Sequence, residues 1–265
     1  MTESLWLGLV IGNSRLHWAT FSGDNLQATW HTPHLKDSQV EALIKQNFCP
    51  SSWPSSGDRV PSHITFTKPP MVWIAAVVPT QAALWQRRDC VIFIKAEHIP
   101  LANSYSTLGL DRSLSLLGAM AHYGDPILVI DAGTALTFTA GVEQRFIGGA
   151  ILPGLRLQFS ALAQGTAALP EVVDWPRNLP ERWATSTPTA IQSGILYTLL
   201  AGIANYIQTW EKQYPNGHVV ITGGDREPIA DWLAQHDPAS IQRLKTDPNL
   251  MFWGLQRYRS QLIEG

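Results

Sequence analysis

Charge is scarce in this chain. Asp, Glu, Lys and Arg together make up 15% of its 265 residues and nearly cancel, leaving a formal net charge of -2. The basic face of a nucleic-acid binder is therefore missing, and no nucleic-acid partner is expected. An acidic small molecule would have to be held by local donors such as backbone N–H groups. Cysteine is scarcer still. Cys49 and Cys90 stand in no metal or redox spacing; they fit a reducing cytoplasm, while a disulfide between them stays open. The N-terminal apolar run, Leu5 to Ile11, is too short to span a bilayer and lacks the basic flank and cleavage site of a signal peptide. A cytoplasmic protein with no membrane partner is expected. No G-x-x-x-x-G-K-[ST] segment occurs, and no G-x-G-x-x-G follows a strand, so the P-loop and Rossmann solutions are unsupported. His31-x-x-His34 is the one close histidine pair, in a polar, loop-like stretch, and nothing nearby supplies further metal ligands.

What the chain does have is apolar side chain, 45% of all residues, including 11 Trp scattered along it. That is a globular composition with ample core, and the tryptophans read as core and groove wall. The most informative pattern is an internal echo. LWLGLVI (5–11) is followed by the turn Gly12-Asn13-Ser14 and the run RLHWATF. ILVID (127–131) is followed by Ala132-Gly133-Thr134 and ALTFTA. Apolar runs of this length bounded by glycine read as buried strands. Further strands are expected at 62–66, 71–77, 143–151 and 218–222. Helices are expected near 37–47 and 79–87, from Asp111, after Pro153, after Gly223-Gly224-Asp225 and over about 250–263. A long helix should run from Thr187 to about Tyr214, with Thr187 as N-cap and Pro188 in the first helical position. Residues 50–60 and 174–188 read as loops. Alternating strands and helices argue for an α/β fold, in two halves, 1–108 and 109–265.

Several residues carry candidate chemistry. A small turn at the carboxyl end of a buried strand exposes successive N–H groups that can form an anion nest, and Ser or Thr adds a hydroxyl. The alternative is an ordinary hairpin turn; the repetition, with the later Gly-Gly-Asp turn, favours phosphate. Asp111, at a helix start beside Arg112, can orient an attacking hydroxyl and accept its proton, and Arg112 can neutralise an acidic group. The alternative is a helix-start acid next to a surface arginine. Asp131 closes a strand beside a glycine turn, where a carboxylate can hold a cation or serve turn geometry alone. Thr187 is explained by capping, with ligand contact as an addition.

IGNSR (11–15), AVVP (76–79), LGLDR (108–112), IDAGTALT (130–137), GGAILPGL (148–155), TPTAIQSG (187–194) and ITGGD (221–225) occur in this order across nearly the whole chain. In this the sequence resembles the type III pantothenate kinases of the acetate and sugar kinase/Hsp70/actin superfamily. The resemblance implies two duplicated actin-like (ribonuclease H-like) domains with a cleft between them. It implies phosphorylation of pantothenate by ATP, the first step toward coenzyme A, in a homodimer. By position it makes Asp111 the catalytic base, and Tyr105, Gly109, Leu110, Arg112 and Thr187 substrate contacts. Val10, Ile11, Gly12, Asn13, Ser14, Arg15, Leu16 and His17 form the first ATP loop. Gly133 and Thr134 contact phosphate, Gly223 and Gly224 match the adenosine motif, and Asp131 holds a monovalent cation, K+ or NH4+, with Mg2+ on the nucleotide.

One position departs from the family pattern. The first phosphate motif usually carries Asp where this chain has Val10. Another carboxylate, Asp131 foremost, could suffice; ATP affinity could be poor; or catalysis could be lost. Asp111, Arg112, Asp131 and Thr134 stand together in favour of activity. The rival readings are a catalytically silent regulatory protein on the same scaffold, and a kinase of another small hydroxy acid.

Overall fold

The computed structural model describes residues 5–55, 57–58, 60–62, 64–86 and 88–264. Position 63 of the expected strand 62–66 and position 87 of the expected helix 79–87 lie outside the described residues, as do 1–4 at the start of the first expected half.

The first sheet is built from β1 (Leu5–Ile11), β2 (Leu16–Ser22), β3 (Asn25–Thr32), β4 (Val72–Ala76) and β5 (Val91–Phe93), with α1 (Asp37–Lys45) and α2 (Pro79–Ala83) between strands. Its order is β3-β2-β1-β4-β5. β1, β2 and β3 form an antiparallel meander, whereas β4 and β5 run parallel to β1. α3 (Leu110–Tyr123) then leads to the second sheet. It holds β6 (Ile127–Ala132), β7 (Ala135–Val142), β8 (Arg145–Pro153), β9 (His218–Thr222) and β10 (Leu244–Thr246). Its helices are α4 (Leu155–Gly165), α5 (Thr187–Gln213), α6 (Arg226–His236) and α7 (Pro238–Ile241), and α8 (Leu250–Glu264) ends the chain. Its order, β8-β7-β6-β9-β10, repeats the first with the same strand directions. The echo in the sequence is thus a duplication of a whole sheet.

Central strands need apolar side chains on both faces. β1 meets this need: every residue after Leu5 is buried. β6 does so through Ile127–Ile130. In the first core Trp18 is the hub, edge-on to Trp53 at 4.8 Å and to Trp85 at 5.6 Å between ring centroids. Its indole donates to Thr32 Oγ1 at 3.0 Å, which satisfies the polar tip of a fully buried ring. The second core rests on α5, where Leu196, Leu200, Ile203, Ile207 and Trp210 are buried at helical spacing. By length and composition α5 could cross a membrane, but this face is a core face packed among sheet and helix residues. Trp183 differs from the other tryptophans of the expected core in being 86% exposed.

Several boundaries differ from expectation. No strand forms over the described residues of 62–66, although Ile64 is buried. Pro61, Pro69 and Pro70 flank that stretch and offer no ladder N–H. α2 stops at Ala83. Ser186, in an extended conformation, is the N-cap of α5, so Thr187 and Pro188 are its first two helical residues. His31 lies on β3, not in a loop.

The chain gathers into two compact units. One holds the residues up to Leu101, Tyr105–Gly118 and those from Met251 on; the other holds Ala102–Ser104 and Ala119–Leu250. Where the sequence suggested a single boundary after 108, α8 joins the first unit. The reason is packing: a Cβ at Gly8 of β1 would lie 2.5 Å from Leu255 Cδ2, and the backbone of Leu114 in α3 fills the space beside Gly254.

Candidate active site

In the first unit, the turn between β1 and β2 closes with the Gly12 N–H donating to Arg15 O at 3.1 Å. Asn13, Ser14 and Arg15 are exposed at its tip. Val10, Ile11 and Leu16 behave differently. Their side chains are buried, at 2%, 0% and 0% exposure, and their backbones lie in the ladder, Val10 opposite His17 and Ile11 opposite Leu16. Val10 therefore contributes an apolar side chain to the sheet and no donor or ligand to the turn. The His17 ring lies beside Gly12, with Nε2 at 3.4 Å from where a glycine Cβ would stand, and meets His31 edge-on at 4.7 Å. Burial, then the charges of His31 and Arg15, push His17 down to about 4.

The same unit holds the segment 105–113. Asp111, in the first turn of α3, folds back so that Oδ1 accepts from the Arg112 N–H at 2.8 Å. That pose requires glycine before it: a Cβ at Gly109 would lie 2.5 Å from Asp111 Oδ1. Gly109 O accepts from both Ser113 N–H and Ser113 Oγ, at 3.0 and 3.1 Å, which fixes the helix start. Arg112 is buried, and its Nη1 donates to Tyr105 Oη at 3.1 Å. Tyr105, Gly109, Asp111 and Arg112 are thus brought together, with Leu110 as the first residue of α3.

In the second unit three strand ends meet. The Gly133 N–H closes the β6–β7 turn on Ala135 O at 3.1 Å, the Gly154 N–H donates to Thr134 O at 3.0 Å, and the Asp225 N–H donates to Ala132 O at 2.9 Å. The fit is so close that any side chain at Gly154 would strike the carbonyls of Gly133 and Thr134. Gly223 has φ +91°, and a Cβ there would strike Ala132 O and lie 2.6 Å from Asp131 Oδ1. Asp131 is half-buried, Thr134 is exposed, and Gly224 has open space around it. The carboxylate of Asp131 therefore borders a cradle that requires glycine at 223, whereas a Cβ at Gly133 would make ordinary contacts at 3.4 and 3.6 Å. A carboxylate oxygen is the kind of donor that hard cations take. Among the described residues no group of three His, Cys, Asp or Glu gathers as a metal cage.

Thr187 stands apart from that cradle, in the wall of a cavity of about 520 Å³. Leu162, Leu169, Ile191 and Ile195 make its walls apolar, and Thr185, Ser186 and Thr187 add hydroxyls. Sequence reasoning missed this cavity and the role of Gly154. It weighed His34 only as a metal ligand, whereas the ring is hydrogen-bonded to Gly12 O at 2.8 Å.

Two sheets of one order, each opening on a glycine turn, define a protein of the actin-like, ribonuclease H-like class. A Baf family protein, described as a transcriptional activator, from Campylobacter jejuni superposes with a TM-score of 0.63 over 98% of this chain and all of its own; at 17% identity the likeness speaks to fold alone. The activator of 2-hydroxyisocaproyl-CoA dehydratase from Clostridium difficile, solved with bound ADPNP, gives a TM-score of 0.50 at 12% identity, covering 98% of both chains. Sequence goes further. The type III pantothenate kinase family matches residues 6–209. The chain is 45% identical to the type III pantothenate kinase of Nostoc sp. over 96% of its length and 94% of that protein's, and 40% identical to that of Synechocystis sp. over 94% and 88%. The chain belongs to the type III pantothenate kinase family.

Proposed function

We propose that this protein transfers the γ-phosphoryl group of ATP to the primary hydroxyl of pantothenate, giving 4'-phosphopantothenate, the first step of coenzyme A biosynthesis, in the cytoplasm. The observation that carries the reading is the Asp111 arrangement. A half-buried carboxylate is set at a helix start by Gly109 and the Arg112 N–H, beside a buried arginine hydrogen-bonded to Tyr105. In the reaction the pantothenate oxygen forms a bond to the γ-phosphorus and the bond to the β,γ-bridging oxygen breaks. Asp111 orients the hydroxyl and takes its proton, which moves late in a loose transition state, so a strong base is not needed. Arg112 and Tyr105 face the acidic substrate, with Gly109 and Leu110 supplying the loop and Thr187 a further contact. Residues 10–17 contact ATP phosphates through the turn Gly12–Arg15. Gly133 and Thr134 contact phosphate, and Gly223 and Gly224 contact adenosine.

Asp131 would hold K+ or NH4+ in its cradle, a positive charge that offsets phosphate. Magnesium enters on the nucleotide, since Mg2+ keeps waters and phosphate ligands and needs few protein carboxylates. We further infer a homodimer. β8 is the edge of its sheet and alternates apolar residues outward, with Ile147 and Ile151 exposed at 45% and 63%. Such an edge invites pairing with a second copy. Sedimentation of Ile151→Asp should show monomer where the unmodified chain shows dimer.

The deciding assay couples ATP consumption to a reporter, with Mg2+ and K+ present, across pantothenate and a panel of other small hydroxy acids. Turnover that requires pantothenate supports the reading. Turnover on another acid alone, or none at all, overturns it in favour of a different kinase or a silent regulator.

A further inference from the structure

The histidine pair at 31 and 34 was of interest only as a metal site, yet the fold gives its second member a specific contact. His34 Nε2 lies 2.8 Å from Gly12 O. A carbonyl can only accept, so the imidazole nitrogen donates. The loop that carries His34 is itself fixed. The Leu35 N–H donates to Gln81 Oε1 at 3.1 Å, and Gln81 Nε2 donates back to Leu35 O at 3.2 Å. Gln81 sits on α2, close after Val77, whose N–H donates to Ile11 O at 3.0 Å. A closed ring of contacts therefore runs from Ile11 through Val77, Gln81, Leu35 and His34 back to Gly12.

The consequence lies in the peptide plane. The bond between Gly12 and Asn13 is trans, so the Gly12 C=O and the Asn13 N–H belong to one rigid plane and point in opposite directions. Drawing the carbonyl toward His34 turns the Asn13 N–H to the other side of the turn. Gly12 is also held through its own N–H on Arg15 O and by the His17 ring beside its Cα. We propose that His34 is a positioning residue for ATP binding: by anchoring the Gly12 carbonyl it aims the Asn13 N–H at the nucleotide's phosphates. This rests on the reading that residues 10–17 contact those phosphates.

The test uses steady-state kinetics, analogue binding, unfolding and hydrogen exchange on the full chain. His34→Phe keeps a ring and removes the donor; His34→Gln restores an N–H. His34→Phe should raise KM for ATP and the dissociation constant for a non-hydrolysable ATP analogue by about tenfold, the worth of one hydrogen bond, with the pantothenate KM unchanged and unfolding still cooperative. His34→Gln should return both ATP constants to within about twofold of the unmodified chain, because it supplies the donor again. If His34→Phe does not fold, His34→Ala takes its place. ATP constants unchanged in the donor-less variant, or equally impaired in Phe and Gln, overturn the role of His34. Hydrogen exchange separates the underlying reading: the analogue should protect the amides of residues 12–15 in the unmodified chain. Protection together with unchanged constants sinks His34 alone, whereas absence of protection sinks the loop reading and His34 with it.

Discussion

Acid should weaken this protein through one half-buried ring. His17 is pushed from its ordinary 6.5 to about 4, first by burial and then by His31 and Arg15. In the unfolded chain the ring titrates near 6.5, so between these values the unfolded state binds more protons than the folded one. Stability then rises with pH across the window and is lost as pH falls from about 6.5 toward about 4. The gap corresponds to about 3 kcal/mol, roughly 70% of it spent by pH 4.5. The perturbation is His17→Gln, which has no proton to gain. Urea unfolding at pH 7 and pH 4.5 gives four free energies, and the difference of differences cancels the titrating groups that do not interact with His17. The unmodified chain should lose about 2–3 kcal/mol more than the variant on acidification. A proton NMR titration of the His17 ring supplies the independent check. A midpoint near 6.5, or equal acid losses in the two proteins, would refute the reasoning.

Two further outcomes follow from the site. Asp111→Asn should lower kcat by about 10²–10⁴, the usual worth of a positioned proton acceptor, while calorimetry shows the ATP analogue still binding; near-normal turnover removes Asp111 from the mechanism. Asp131→Asn should remove or weaken the dependence of rate on added K+, because it takes away the one carboxylate charge beside the Gly223 backbone. A K+ titration that retains the unmodified midpoint would show that no cation uses this cradle.

Much of this was legible because it depends on local pattern. β1, β6 and β9 could be read from continuous apolar runs ending in glycine, since a strand buried on both faces has no other way to be written. β3 escaped notice because its buried and exposed residues alternate, with Gln27 and His31 interrupting the apolar signal. The 62–66 stretch misled for the opposite reason: Ile64 is apolar and buried, but neighbouring prolines deny it a ladder. At the site, Asp111 and Arg112 are adjacent in sequence, and their helix start was readable. The hydrogen bond from Arg112 to Tyr105 depends on how the preceding loop folds back. His34 reaches Gly12 across 22 positions, through the register of a three-stranded meander. Nothing in the local sequence encodes that distance. Gly154 was visible as part of a motif, but its reason, the carbonyls of the 133–134 turn, appears only when β8 pairs with β7.

β1 lies near one end of the described chain, yet it cannot complete its surroundings until α8, far along the chain, has been made. Leu255 and Phe252 of α8 occupy the space above Gly8. The continuous stretch Ala119–Leu250 holds all five strands of the second sheet and precedes α8. The unit that holds β1 is therefore completed after the stretch Ala119–Leu250 has been made. During that interval the apolar face of β1 is left for chaperones, or for wrong partners, to find.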